Sequence, residues 1–97
     1  MTTGETLLQR LLSSQVKLDL LTLFHKNPNL RDDIEGLASR IGRTPREIEA
    51  DLEDLLDLGV LKRMRLDNRD VIVLDSARDE EIQGIIAKHL EHSQNSG

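Results

Sequence analysis

The sequence contains no cysteine, tryptophan or tyrosine, and Phe24 is its one aromatic residue. Without thiols there is no disulfide, no thiolate metal site and no cysteine nucleophile, and nothing points to an oxidising compartment. Without aromatic rings there is no platform on which single-stranded bases could stack. The core must be aliphatic, built from Leu, Ile and Val, which suits interlocked helices better than an aromatic-rich sandwich. No apolar run approaches the roughly 20 residues that cross a bilayer, and the opening MTTGETLLQR has no basic stretch of the signal-peptide kind. A soluble, cytoplasmic chain without a membrane partner is the expectation. Cations are also in the minority, 13 Lys and Arg against 18 Asp and Glu, for a formal charge of −5. That balance disfavours indiscriminate adhesion to nucleic acid, although a local basic patch can bind against an acidic average.

At 97 residues the chain is one domain long, with too small a core to enclose a sizeable catalytic cleft. Residues 1–92 are expected to form a single domain and residues 93–97 a polar, disordered tail, with no internal repeat and no linker. Between Gly4 and Asn27, apolar residues recur mostly three or four apart, from Leu7, Leu8, Leu11 and Leu12 to Leu20, Leu21 and Phe24. This spacing predicts one long helix or two abutting ones, with the joint at Ser13 and Ser14. Asn27-Pro28-Asn29 ends it, and Leu30 can anchor a minimal first strand.

Asp32 or Asp33 caps the next short helix, whose buried stripe is Ile34, Leu37, Ala38 and Ile41 and whose stop is Gly42. Gly36 inside it either admits a close neighbour or is merely tolerated. Thr44-Pro45-Arg46-Glu47 is the clearest local signal: threonine at the N-cap, proline at N1 and glutamate at N3. The helix it starts buries Ile48, Leu52, Leu55 and Leu56 and ends at Leu58-Gly59. Val60–Leu66 and Val71–Leu74 then form a hairpin around the turn cluster Asp67-Asn68-Arg69-Asp70. Ser76, with Asp79 three residues on, caps a last helix carrying Ile82, Ile85, Ile86, His89 and Leu90 on its apolar face. The expected fold is mainly α with a small β-hairpin wing, a winged helix-turn-helix with additional N- and C-terminal helices.

From Ser14 to Leu74 the sequence resembles the winged-helix transcription regulators of the ArsR and MarR kind. The carriers are Leu37-Ala38, Ile41-Gly42, Pro45, Ile48, Leu52, Leu55, Leu58-Gly59 and Leu61, which such domains keep apolar or small, together with the opening helix from Ser14 to Phe24. The resemblance implies that Arg46, Glu47, Glu49, Ala50, Asp51 and Asp54 occupy recognition-helix positions. It also implies that Lys62, Arg63, Arg65 and Arg69 occupy strand and wing positions that meet phosphates or the minor groove. Members that read DNA usually carry Ser, Gln, Thr, Arg or His on that helix, whereas here Arg46 stands against Glu47, Glu49, Asp51, Glu53, Asp54 and Asp57.

A helix of that charge opposes phosphate neutralisation, which supplies most of the free energy of non-specific binding. Carboxylates can accept from cytosine amino groups, but six cannot all find such partners in a few base pairs. Asp54 and Asp57, in the last turn, oppose the helix dipole and call for cations from elsewhere, with Arg40, Arg43, Lys62, Arg63 and Arg65 as candidates. Two readings follow. In the first, duplex DNA is held through Arg40, Arg43, Thr44, Arg46, Lys62, Arg63, Arg65 and Arg69, and the bland alternative for each of these cations is a solvated surface charge. In the second, the module docks a basic protein partner through Glu49, Glu53, Asp54 and Asp57.

His89 and His92 with Glu91 make a poor metal site, no catalytic constellation is present, and neither a cofactor nor an enzyme is expected. The leucines of the first helix and the isoleucines of the last exceed what a three-helix core obviously needs. A homodimer through the terminal helices is expected on that ground, against the alternative that they merely cover the monomer core.

Overall fold

A computed structural model describes the backbone of residues 9–95 and the side chains through Ile85, with those of Ala87 and Lys88. The expectations placed on Leu7 and Leu8 lie outside the described residues, and those on Ile86, His89, Leu90, Glu91 and His92 concern side chains outside them. Four full helices and one hairpin follow in the order α1 (Gln15–Lys26), α2 (Ile34–Arg40), α3 (Pro45–Asp57), β1 (Leu61–Leu66), β2 (Arg69–Leu74) and α4 (Ser76–Asn95).

Residues 9–11 are helical, residues 12–14 break the helix, and α1 restarts at Gln15. Ser14 is the reason: its backbone is extended and its hydroxyl accepts from the Lys17 amide at 3.1 Å, capping α1. Asn27 closes α1, its amide donating to the Leu23 carbonyl at 3.0 Å. Asp33, not Asp32, caps α2, accepting from the Gly36 amide at 2.9 Å. The Asp32 carboxylate instead lies over Gly36, where a Cβ would come within 2.1 Å of it. Gly36 is therefore the close-approach position, and a methyl there would displace the carboxylate.

Thr44 caps α3 with Pro45 in its first turn, and its hydroxyl accepts from the Glu47 amide at 3.3 Å. The Glu47 carboxylate turns to the Thr44 hydroxyl itself, at 3.2 Å. Gly59, at φ 81°, ends α3 in the left-handed region that a side chain would strain. Arg78 from α4 then donates to the Leu58 carbonyl at 3.1 Å, setting a cation at the negative end of α3.

The hairpin is tighter than the turn cluster suggests. Asp67 and Asn68 both have positive φ, 49° and 66°, as a two-residue turn of the I′ hand requires. Arg69 and Asp70 consequently belong to β2, paired with Leu66 and Arg65. The minimal third strand is centred on Asp32 rather than Leu30: Asp32 exchanges backbone hydrogen bonds with Ile72, at 2.7 and 3.4 Å. Leu30 packs against the core instead. The cap of α4 is also one residue early, since Asp75, not Ser76, accepts from the Arg78 amide at 3.2 Å. The helix continues to Asn95, past Ser93 where the tail is expected to begin.

One apolar core unites these elements, with Leu11, Leu20 and Phe24 against Leu37 and Ala38, Ile48, Leu52 and Leu55, then Leu61, Ile72 and Ile82. Each such buried side chain contributes about 1.5–3 kcal/mol relative to exposure. Pairing across the hairpin sends Leu61, Arg63 and Arg65 with Leu74, Ile72 and Asp70 to the face turned to that core, while Lys62 and Met64 share the other face with Val73 and Val71.

Candidate nucleic-acid interface

At about 100° per residue, Ile48, Leu52 and Leu55 mark the inward side of α3, and Arg46, Ala50 and Asp57 point away from it. Glu49 and Glu53 fall on the flank towards the hairpin, and Asp51 and Asp54 on the flank towards α1. The six carboxylates therefore do not form one outward face.

On the α1 flank, Asp54 forms ion pairs with Arg10 and Lys17. Lys17 is 5% exposed, and its ammonium also donates to the Ser13 hydroxyl at 2.9 Å and the Arg10 carbonyl at 3.0 Å. Those three acceptors use all three of its protons. Hydrogen bonds from Lys17 first, then from Arg10, lower the pKa of Asp54 below the ordinary carboxylate value, against a smaller opposing effect of burial. Asp51 accepts from the Ser14 hydroxyl at 2.9 Å. None of these partners is among the cations expected to serve Asp54. Their sequence separations of 37 and 44 residues hide them, although Lys17 sits three and seven positions before Leu20 and Phe24, within an apolar stripe.

On the hairpin flank, Arg63 pairs with Glu53, and Arg65 pairs across the strands with Asp70 at 3.2 Å. Within the turn, Arg43 reaches Asp19 at 3.5 Å and Glu47 at 3.9 Å, and its Nε is buried without a hydrogen-bond partner. Arg40 donates to Asp32 at 3.0 Å. Four of the cations expected to meet phosphate are thus engaged within the fold, whereas Arg46, Lys62 and Arg69 form no ion pair among the described residues. His25, isolated in the sequence, bridges α1 to α4 through Asp79 at 2.9 Å.

Two solved structures share this fold. The crystal structure of AntR, an antimony-specific transcriptional repressor, superposes with a TM-score of 0.60 at 20% identity, over 94% of this chain and 82% of that one. A possible transcriptional regulator from Methanosarcina mazei Go1 gives 0.63 at 14% identity, over 98% and 86% of the two chains. The fold is a winged helix-turn-helix. No protein-family model matches the chain, and no curated protein matches it. In the winged-helix frame, α2 and α3 are the helix-turn-helix, α3 holds the position called the recognition helix and the β1–β2 hairpin that of the wing. α3 meets solvent through Arg46, Glu47, Glu49, Ala50, Glu53 and Asp57, and of these acids Glu47 and Glu53 are met by cations from other elements. Among the described residues no helix is long and apolar enough to cross a membrane, and no group of three His, Cys, Asp or Glu side chains is placed to hold a metal.

Proposed function

We propose that this chain is a transcription-regulator-type module that binds duplex DNA through the start of the recognition helix and through the wing, and that it does so without catalysing a reaction. The observation that carries the proposal is the internal neutralisation of the recognition helix. Arg10 and Lys17 pair with Asp54, Arg43 with Glu47 and Arg63 with Glu53, so three of the helix's six acids meet cations from outside it, while Glu49, Asp51 and Asp57 form no ion pair among the described residues. The electrostatic objection to groove entry falls accordingly.

Arg46, Lys62 and Arg69 are exposed and supply the first phosphate contacts. Arg63 and Arg65 add to them, because their side chains are 53% and 68% exposed. Exposed ion pairs contribute only about 0–1 kcal/mol, so exchanging Glu53 or Asp70 for a phosphate costs little. Arg40 and Arg43 serve by position at the turn. The contrary reading, docking of a basic protein on Glu49, Glu53, Asp54 and Asp57, is weaker because Asp54 is already held by the buried Lys17 and by Arg10.

The proposed assembly is a homodimer through the terminal helices. Leu12 is 58% exposed beside a cleft lined by Leu18, Leu21 and Ile82, which supports a partner on that side. Titration of a fluorescent random duplex at low salt tests the function: binding with a steep salt slope is expected, and Arg46→Ala should flatten that slope by about 0.9. Absence of binding at low salt would remove the proposal. Sedimentation at high micromolar concentration tests the dimer, which a purely monomeric species would exclude.

A further inference from the structure

The most deeply buried charge among the described residues lies outside the proposed DNA contacts. Lys17 is buried on α1, yet its ammonium joins Asp54 of the recognition helix to the carbonyl of Arg10 and the hydroxyl of Ser13. Arg10 comes down on the same carboxylate from the helical stretch before the break, and Ser14 ties Asp51 one turn earlier. Leu11 anchors the stretch in the core, 2% exposed. Residues 10–14 therefore lie as a strap along the α1 flank of the recognition helix, tied to its carboxylates through Arg10 and Ser14 and to Lys17 through the Arg10 carbonyl and the Ser13 hydroxyl.

The geometry points to a charge latch: residues 10–14 hold Arg10 on the Asp54 carboxylate beside Lys17, and lifting this strap takes away that second cation, makes the edge of the DNA-facing strip more negative by one charge and weakens DNA binding. This rests on the DNA-binding reading above and adds its regulation. Asp54 is suited to the role because its side chain is 26% exposed, half-way between the solvent strip and the α1 flank. Lifting the strap removes Arg10 from Asp54 and two of the three acceptors from Lys17, which leaves the ammonium partly unsatisfied and costly to keep buried. Strap and recognition helix are thus coupled in both directions: an event that pulls residues 10–14 away releases DNA, and DNA binding favours the seated strap. Arg10, Ser14 and Lys17 are positioning residues in this scheme and touch no phosphate.

The full chain and its variants Arg10→Ala, Asp54→Asn and the double substitution test it. NMR titration of the Asp54 carboxyl reads the latch without DNA; its midpoint should rise in Arg10→Ala, and an unchanged midpoint overturns the latch. Affinity for a random duplex at low salt reads its consequence. Arg10→Ala should weaken binding by roughly fivefold, the scale of one partly screened charge. In the Asp54→Asn background the same substitution should change neither affinity nor salt slope, because no carboxylate remains to hold Arg10 beside the strip. An equal loss in both backgrounds would make Arg10 a phosphate contact and overturn the proposal. Unchanged affinity in Arg10→Ala, with the wild type binding normally, also overturns it while leaving the DNA reading intact. Failure of every variant and of the wild type to bind removes the DNA reading, and the latch's role falls with it.

Discussion

The two flanks of the recognition helix use the same chemistry to different ends. On the α1 flank, Asp54 meets a lysine that is almost wholly buried, and that lysine has every proton engaged. On the wing flank, Glu53 meets Arg63 with more than half of each side chain in solvent. Burial separates them. A charge withdrawn from water loses several kcal/mol of hydration and depends on its partners, whereas an exposed pair can exchange its partner for water or phosphate at little cost. The inner flank is accordingly structural, and the outer flank is available for binding.

Lys17→Ala tests this contrast most severely. It removes the ammonium and its packing while Asp54 retains Arg10, so a loss of about 2 kcal/mol is expected, below the roughly 3–5 of a fully buried broken pair. Urea denaturation should show it as a lower midpoint, and a loss no larger than that of Arg63→Ala would erase the difference between the flanks.

Acid gives the next largest effect. The folded-state pKa of Asp54 is depressed, so its stabilising contribution is fully present above the ordinary carboxylate pKa and is lost as pH falls through the lowered value. Melting temperatures of wild type and Asp54→Asn should therefore differ at neutral pH and converge well below about pH 4. A gap that persists in acid would assign the effect of Asp54 to packing.

Arg63→Ala should cost less than about 1 kcal/mol at low salt and almost nothing at about 0.5 M salt, where exposed pairs are screened, while the deficit of Lys17→Ala should survive that salt. The smallest change is expected from Arg65→Ala, within about 0.5 kcal/mol in denaturation, since its pair with Asp70 is the more exposed. If Arg65→Ala nonetheless flattens the salt slope for duplex DNA, the wing is a binding surface whose pairs contribute little to the fold.

Much of the scaffold is readable residue by residue. Thr44, Pro45 and Glu47 start α3 by local hydrogen bonding and a preset φ, which need no distant partner. Ser14 interrupts the first helix by the same local chemistry. Where two local solutions compete, neighbours decide. Asp75 and Ser76 are both good caps, and Asp75 prevails where the chain leaves β2. The hairpin turn contracts to Asp67-Asn68 because both residues take the positive φ that a two-residue turn of the strand's twist requires. Asp32 takes the strand role expected of Leu30 because the free edge of β2 presents the backbone of Ile72 to it.

The candidate site was harder to read, because what a charge does depends on which charges lie opposite. From composition the recognition helix looks too acidic for DNA; in the fold, Arg10 and Lys17 have already met its most awkward carboxylate. Lys17 was visible as a cation in an apolar stripe, but its partner was not, since nothing in a stripe specifies which distant helix crosses it.

The sequence by itself determined the helix start at Thr44, the aliphatic core and the presence of a hairpin, and it marked Ser13 and Ser14 as the place where the first helix could break. Capping, helical period and alternation act over a few residues, so these features are written where they occur. Only the tertiary structure decided which charges are spent inside and which face outward. That outcome follows from helix crossing and burial, which bring residues 37 and 44 positions apart to one carboxylate and set the dielectric in which they meet.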